Sequence, residues 1–531
     1  MVVLFIVTCL LATQSAVAQG TEITLLHVND THSHLDATGP KDAALNGTTG
    51  GLAKAATVIG MERAAAGPNV LLLHAGDVFH GDFFFNRYFG IPELKMMKQL
   101  GFDAMAVGNH EFDLGPELLA FSLSEAYGAD TLPLLSANLD LSRRPVLGTW
   151  IKESILKVVG GVKVGIFGMT VPGVPTTNSG DVTILGADNI ALLLGIAGRE
   201  VAALRGAGAE VVICLSHLGS LYDRVVAGNV PGIDIVVGGH DHYRFEQPVS
   251  IAGPSGRETL IVQAGSHYLD VGRLRFTVDN GTVRMDDYAL LPVDDTVPAA
   301  PGLQAVVDSL KAGIVTTYGD VYHTALATAE KDIGMVTDPD KRKRDSGMGN
   351  LITDALRDRT GTDIAITANG LISEGIVAGP IVGADLFRPV SYGYDPETGL
   401  GLKLATFDIA GAELVKGLEI GLAYLGINED FFLQVSGMRF RYDSTRPPGA
   451  RVLLDSVHIG GKKLDPCGSY SVTVNEGLAL LLPAMGLQVS NLSPLPDLEY
   501  IVLRDYVSAL GTVGTGSQGR IMDVAEHPRA R

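Results

Sequence analysis

The hexapeptide Gly108-Asn109-His110-Glu111-Phe112-Asp113 joins an amide, an imidazole and two carboxylates directly after the apolar run Ala104-Met105-Ala106-Val107. That run reads as a buried strand, so the polar groups gather where a strand ends. Four further strand-like runs end the same way. Asp30-Thr31-His32 follows residues 23–28, Asp77 follows 70–73, His217 follows 211–215, and His240-Asp241-His242 follows 233–237. In α/β folds, groups at the carboxyl ends of strands converge on one crevice. A single histidine after an apolar strand is more often held by backbone hydrogen bonds than by metal. Five strand ends rich in Asp, Asn and His point instead to a metal site. Imidazole and carboxylate ligands suit Zn²⁺, Mn²⁺ or related ions. His27, His34, His74 and His80 flank these motifs and are expected to pack or to support the ligands. His267, His323, His458 and His527 have no supporting context, and no role is assigned to them.

Positioning these groups requires regular elements. Helical spacing over 51–66, 92–100, 116–127 and 189–206 alternates with strand-like runs at 133–138, 162–169, 211–215, 233–237 and 258–263. The alternation predicts an α/β domain with helices outside β layers. Periodicity leaves open whether the strands form one central sheet or two stacked ones. Residues 273–278 alternate and run into Asp279-Asn280-Gly281, a hairpin signal. Pro292, Pro298 and Pro301 punctuate a junction over 291–344, with a helical segment near 302–314.

A chain of 531 residues exceeds one ordinary core, so two domains are expected. Its 46% hydrophobic and 19% charged composition is that of a globular protein. The net charge of −19 excludes nonspecific binding to a nucleic acid polymer, which rests on Lys and Arg. An anionic substrate remains compatible, because bound divalent cations reverse the local field. The basic run 341–344 reads as a solvated face. Residues 1–18 read as a signal peptide: the apolar run 2–12 is too short to span a bilayer, and Ala16-Val17-Ala18 is a small-residue cleavage site. No Lys or Arg precedes that run. Export to the periplasm or the extracellular space is therefore expected, with no membrane partner after cleavage. Cys214 and Cys467 fall in different predicted domains and are expected to stay unpaired.

Five blocks carry a resemblance: Leu26-His27-Val28-Asn29-Asp30-Thr31-His32-Ser33-His34, Gly76-Asp77-Val78-Phe79-His80-Gly81, Gly108-Asn109-His110-Glu111-Phe112-Asp113, Ser216-His217-Leu218-Gly219 and Gly238-Gly239-His240-Asp241-His242. In order and spacing the chain resembles the calcineurin-like dinuclear metallophosphoesterases, and more closely the 5′-nucleotidase and UDP-sugar hydrolase family. Gly347-Met348-Gly349-Asn350-Leu351-Ile352-Thr353-Asp354-Ala355-Leu356 and Phe432-Leu433-Gln434-Val435-Ser436-Gly437 extend the likeness, less faithfully, into the C-terminal half.

The resemblance implies an N-terminal four-layer α/β/β/α sandwich and an α+β C-terminal domain of 5′-nucleotidase type. The corresponding boundaries are a metallophosphoesterase domain at 19–300, a linker region at 301–340 and a substrate-binding domain at 341–531. It further implies two divalent metal ions, Zn²⁺ or Mn²⁺, bridged by Asp77. Asp30, His32 and His242 would complete one ion's ligands; Asn109, His217 and His240 would complete the other's. Such a pair lowers the pKa of a bound water from about 15.7 toward about 7, and the hydroxide attacks phosphorus in line. His110 would contact the phosphoryl oxygens, with Asp113 orienting it. Asn369 and Phe432 would bind substrate, Phe432 by stacking on a base. The chain departs from the family in two places. Residues 369–374 lack the arginine that relatives place on phosphate, and 475–486 lack a Gly-Gly-Asp-Gly block and its following aromatic. The expectation is an exported metal-dependent phosphohydrolase of 5′-nucleotidase type, acting on a nucleotide or related small phosphate ester. The alternatives are a cyclic-nucleotide phosphodiesterase, a sugar-phosphate or sulfur-ester hydrolase on the same site, or a non-catalytic exported binding protein.

Overall fold

Alternation along the strand Thr21–Val28 sends Leu25 to one face and Leu26 to the other. In the computed structural model, which describes residues 20–128, 131–173, 180–335, 344–426 and 428–526, both faces are buried. Leu25 packs with Leu71, Ile166 and Ile213 between two sheets, whereas Leu26 packs with Leu72, Ile59 and Met97 beneath helices. The N-terminal domain therefore has two stacked sheets, the arrangement that periodicity left open. The signal segment, residues 341–343 of the basic run and His527 lie outside the described residues.

The first sheet has seven strands in the spatial order Thr282–Pro292, Asp270–Asp279, Thr21–Val28, Val70–His74, Ala104–Ala106, Leu134–Leu135 and Ile151–Lys152. The second has six: Val249–Ala252, Glu258–Val262, Ile235–Val237, Val211–His217, Val162–Thr170 and Ser154–Val159. Parallel pairing of Thr21–Val28 with Val70–His74, and of Val211–His217 with Ile235–Val237, brings their carboxyl ends to one edge. Helix Ile190–Gly206 covers the second sheet through Leu193, Ile196, Ala197, Val201 and Leu204, a helical stripe. The expected hairpin is present. Asp279 pairs with Thr282, and both Asn280 and Gly281 have positive φ, as a two-residue hairpin turn demands.

The described part of the junction is more regular than its prolines suggest. Helix Pro301–Tyr318 buries Leu303, Val307 and Ile314 against the N-terminal domain, and Lys311 pairs with Asp36. In the C-terminal domain, Leu433–Ser436, Ile364–Ala368, Ser469–Asn475, Lys403–Ala410 and Val489–Leu498 form one five-stranded sheet in that order. The two domains share apolar packing, with the Phe83 and Phe387 rings stacked at 4.0 Å. Arg388 adds a buried polar tie, its Nε donating to Asp82 Oδ2 at 2.7 Å. Cys214 is buried and Cys467 exposed, and neither is bonded. Among the described residues no helix is long and apolar enough to cross a membrane.

Candidate metal centre

Each of the five strand ends delivers its polar group to the same crevice. Asp30, His32 and His242 form one group of donor atoms within 4.8 Å of one another; Asp77, His217 and His240 form a second. The groups interlock. His217 Nε2 lies 2.9 Å from Asp77 Oδ2 and 3.9 Å from Asp30 Oδ1, and His32 Nε2 lies 3.9 Å from Asp77 Oδ2. Asn109 joins the second group, its Oδ1 3.1 Å from His240 Nδ1.

Backbone geometry is strained at these positions. Asp30, His32, Asp77, His240 and His242 all have positive φ, between 45° and 83°. Non-glycine residues held there cost about 1–3 kcal/mol each and gather at functional sites. Close approach also explains Gly108, where a Cβ would lie 2.0 Å from Asp77 Oδ1.

The ring nitrogens are arranged for ligation. His32 Nδ1 donates to the Phe79 carbonyl at 3.1 Å, and His217 Nδ1 to the Ala75 carbonyl at 2.7 Å. A carbonyl only accepts, so each neutral ring carries its lone pair on Nε2. His32 Nε2 then faces His242 Nε2 at 3.0 Å, and His217 Nε2 faces the Asp77 carboxylate. A shared proton or a bound cation satisfies either contact, and Nε2 lone pairs turned into one crevice are what metal ligation uses. Burial pulls the His32 imidazole down to about 3 and also lowers His240 and His242, so these rings stay neutral, as ligands must. For His217 burial is outweighed by Asp77 and Asp30, which push it up to about 10; a proton there supplies the missing charge. Burial pushes the Asp30 carboxyl up to about 8.

His110 stands beside the groups rather than in them. Its backbone N–H donates to Asp77 Oδ1 at 3.0 Å, and its Nδ1 hydrogen-bonds Asp113 Oδ2. Burial opposes charge on His110, yet Asp113 and Asp77 push its imidazole up to about 9. His80 Nε2 lies 3.2 Å from the same Asp113 oxygen.

Residues 23–244 match the calcineurin-like phosphoesterase family, and residues 325–480 match the 5′-nucleotidase C-terminal domain family. The 5′-nucleotidase of Homo sapiens is 30% identical over 475 residues, which is 81% of this chain and 77% of that one. The chain belongs to the 5′-nucleotidase family. A crystal structure of a 5′-nucleotidase precursor from Thermus thermophilus superposes with a TM-score of 0.82 at 30% identity, over 95% of this chain and 99% of that one. The trifunctional nucleotide phosphoesterase protein YfkN of Bacillus subtilis (strain 168) is 28% identical over 95% of this chain, which spans only 35% of that protein's length. Membership of the 5′-nucleotidase family makes the protein a metal-dependent phosphoester hydrolase, with an N-terminal metallophosphoesterase domain and a C-terminal 5′-nucleotidase domain.

The C-terminal domain of this 5′-nucleotidase relative touches the centre through residues that the motifs did not flag. The Tyr392 ring stacks on His110 at 5.3 Å and 28°. Asn369 Oδ1 accepts from Gln434 Nε2 at 2.9 Å, while its own Nδ2 is buried without a hydrogen-bond partner. The expectation for Phe432 is corrected. Its side chain is 1% exposed and packs edge-on against Tyr442 in the domain core, so it offers no face to a base. Its half-buried neighbour Phe431 contacts Tyr424 instead. Arg388 does not stand in for the absent phosphate arginine. Its guanidinium is engaged by Asp82 and, at 3.0 Å, by Asp385. His74 Nε2 meets Thr31 Oγ1 at 3.0 Å, and His27 is buried without a hydrogen bond. His34 and His267 lie together with Glu374. For His267 a signal existed: it follows the strand Glu258–Val262, a sixth strand end of the same kind.

Proposed function

We propose that the protein is an exported phosphohydrolase that uses two divalent cations, Zn²⁺ or Mn²⁺, to hydrolyse a nucleotide or related small phosphate ester. The observation that carries this reading is the interlocking of the two ligand groups: Asp77 Oδ2 lies 2.9 Å from His217 Nε2 in its own group and 3.9 Å from His32 Nε2 in the other, and His217 Nε2 lies 3.9 Å from Asp30 Oδ1. Asp77 is the shared carboxylate, with Asp30, His32 and His242 on one side and Asn109, His217 and His240 on the other. Bound cations of this kind supply an acidified water near neutral pH and a positive field for phosphoryl oxygens.

The chain's own groups do the rest. Asp113 fixes His110 Nδ1, so the imidazolium presents its other N–H to a phosphoryl oxygen as charge builds there. Tyr392 packs on that ring from the C-terminal domain and limits its rotation. Asn369 offers an unpaired amide donor to substrate. Signal cleavage near residue 18, and domains at 19–300 and 341–531 joined by a linker region at 301–340, belong to the same reading. The substrate is small and monomeric, since the acidic surface repels nucleic acid polymers.

The buried Phe432 ring favours a second reading, hydrolysis of an ester recognised without base stacking, such as a sugar phosphate. A phosphate-release screen over mononucleotides, UDP-sugars, cyclic nucleotides and sugar phosphates, with Mn²⁺ or Zn²⁺ supplied, separates the two. Turnover of mononucleotides or UDP-sugars supports the first reading. Turnover confined to sugar phosphates replaces it with the second.

A further inference from the structure

Outside the two ligand groups, one more set of metal-ligating side chains converges among the described residues: His34, His267 and Glu374, with donor atoms within 4.8 Å of one another. We propose that these three residues hold a third divalent cation, of the Zn²⁺ or Mn²⁺ class, between the two domains. His34 is 1% and His267 7% exposed. Glu374 reaches them from the C-terminal domain, its Oε2 3.3 Å from His34 Nε2.

His34 is held in the same way as the histidines of the dinuclear centre. Its Nδ1 donates to the His32 carbonyl at 2.7 Å, as His217 Nδ1 does to Ala75. The neutral ring's lone pair therefore sits on Nε2, aimed at a carboxylate oxygen. His267 brings the second imidazole, its ring centroid 3.9 Å from that of His34. Two imidazoles and one carboxylate form a zinc ligand set that leaves a fourth position open.

The rings lie within 16° of parallel, so an ion shared by both requires a turn about the His267 ring torsion. That torsion is broad and shallow for histidine. Competing cationic side chains are already committed, Arg388 to Asp82 and Lys41 to Asp385. Glu374 also lines a small cleft together with Lys41 and Arg388.

The site is separate from the dinuclear pair but close to it. The His267 ring lies 5.9 Å from that of His32 and 5.8 Å from that of His242. An ion here ties the loops after Thr21–Val28 and Glu258–Val262 to the loop after Ile364–Ala368, and so clamps the domains across the mouth of the centre.

The test counts metal in the full-length protein. Metal-free protein is loaded with excess Zn²⁺, desalted and measured for zinc per chain. Wild type is expected to hold three equivalents, and His267→Ala and Glu374→Gln each one fewer. Circular dichroism verifies that both variants are folded, and Glu374→Gln, which preserves side-chain shape, covers the case in which His267→Ala is not. Cobalt loading gives a second readout, since the visible absorption of the third equivalent is expected to vanish in Glu374→Gln. Equal counts in wild type and the folded variants overturn the third site. The difference between wild type and variant reports on this site alone, whereas a wild-type total below two contradicts the dinuclear reading.

Discussion

The Glu111 carboxylate accepts the backbone N–H of Asp77 at 3.2 Å while also accepting those of Val78 at 2.8 Å and Gly108 at 2.6 Å. One buried side chain thus pins both loops of the candidate metal centre, the one carrying Asp77 and the one carrying Asn109. Burial and the charge of Asp77 push the Glu111 carboxyl up to about 7, so cations at Asp77 favour its ionised, fully accepting form. Glu111→Gln turns an N–H₂ toward N–H donors. Metal affinity is expected to fall about 10–100-fold, the usual scale for groups that orient ligands. Competition with a chelator measures it, and unchanged affinity would show that Glu111 merely fills space.

His110→Ala is expected to retain its metal and lose activity by a factor of about 10²–10³, the range for a donor aimed at developing charge. Asp113→Asn, which leaves the ring in place without its charge partner, is expected to lose less. Metal analysis beside steady-state rates on one substrate decides the matter. Wild-type turnover in His110→Ala would remove His110 from the chemistry.

Arg388 and Asp82 form a buried pair between the domains, 6% and 2% exposed. Arg388→Ala leaves Asp82 as an uncompensated buried charge, a loss on the order of 3–5 kcal/mol. Removing both partners by Asp82→Ala with Arg388→Ala is expected to recover part of it. Urea unfolding of the single and double variants provides the check, and equal midpoints for the single variant and wild type would contradict the account.

The strand ends were legible because an apolar run that stops at Asp, Asn or His is encoded locally. The helices over 116–127 and 190–206 were legible for a similar reason, their apolar spacing being regular. The stacking of two sheets was not legible in periodicity, since Leu25 and Leu26 are equally apolar whether one face or two are covered; the family resemblance supplied it, and the two sheets bear it out. Phe431-Phe432-Leu433 defeated the reading of the base site. Three consecutive apolar residues do not announce which one faces the core, and the 3₁₀ turn Glu429–Phe431 decides it. Glu374 was beyond reach because its partners, His34 and His267, lie in the other domain and no spacing links them.

Glu499 links pH to stability away from the centre. It is 3% exposed, accepts from Asn475 Nδ2 at 2.9 Å, and burial pushes its carboxyl up to about 7. The folded state therefore holds a proton that the unfolded state releases near pH 4.5. Stability from this group is full below that pH and falls as pH rises toward about 7, by about 3 kcal/mol in all. Glu499→Gln is expected to remove that decline, making the variant the more stable protein at about pH 8 and no more stable at about pH 4.5. Urea midpoints at the two pH values compare them; a parallel decline in both proteins would contradict the assignment.

The dinuclear centre is tested most directly by anomalous diffraction from crystals grown with Mn²⁺. The account predicts two peaks about 3.5–4 Å apart with an Asp77 oxygen on each. A single peak in the crevice, or two peaks that do not share Asp77, would contradict it.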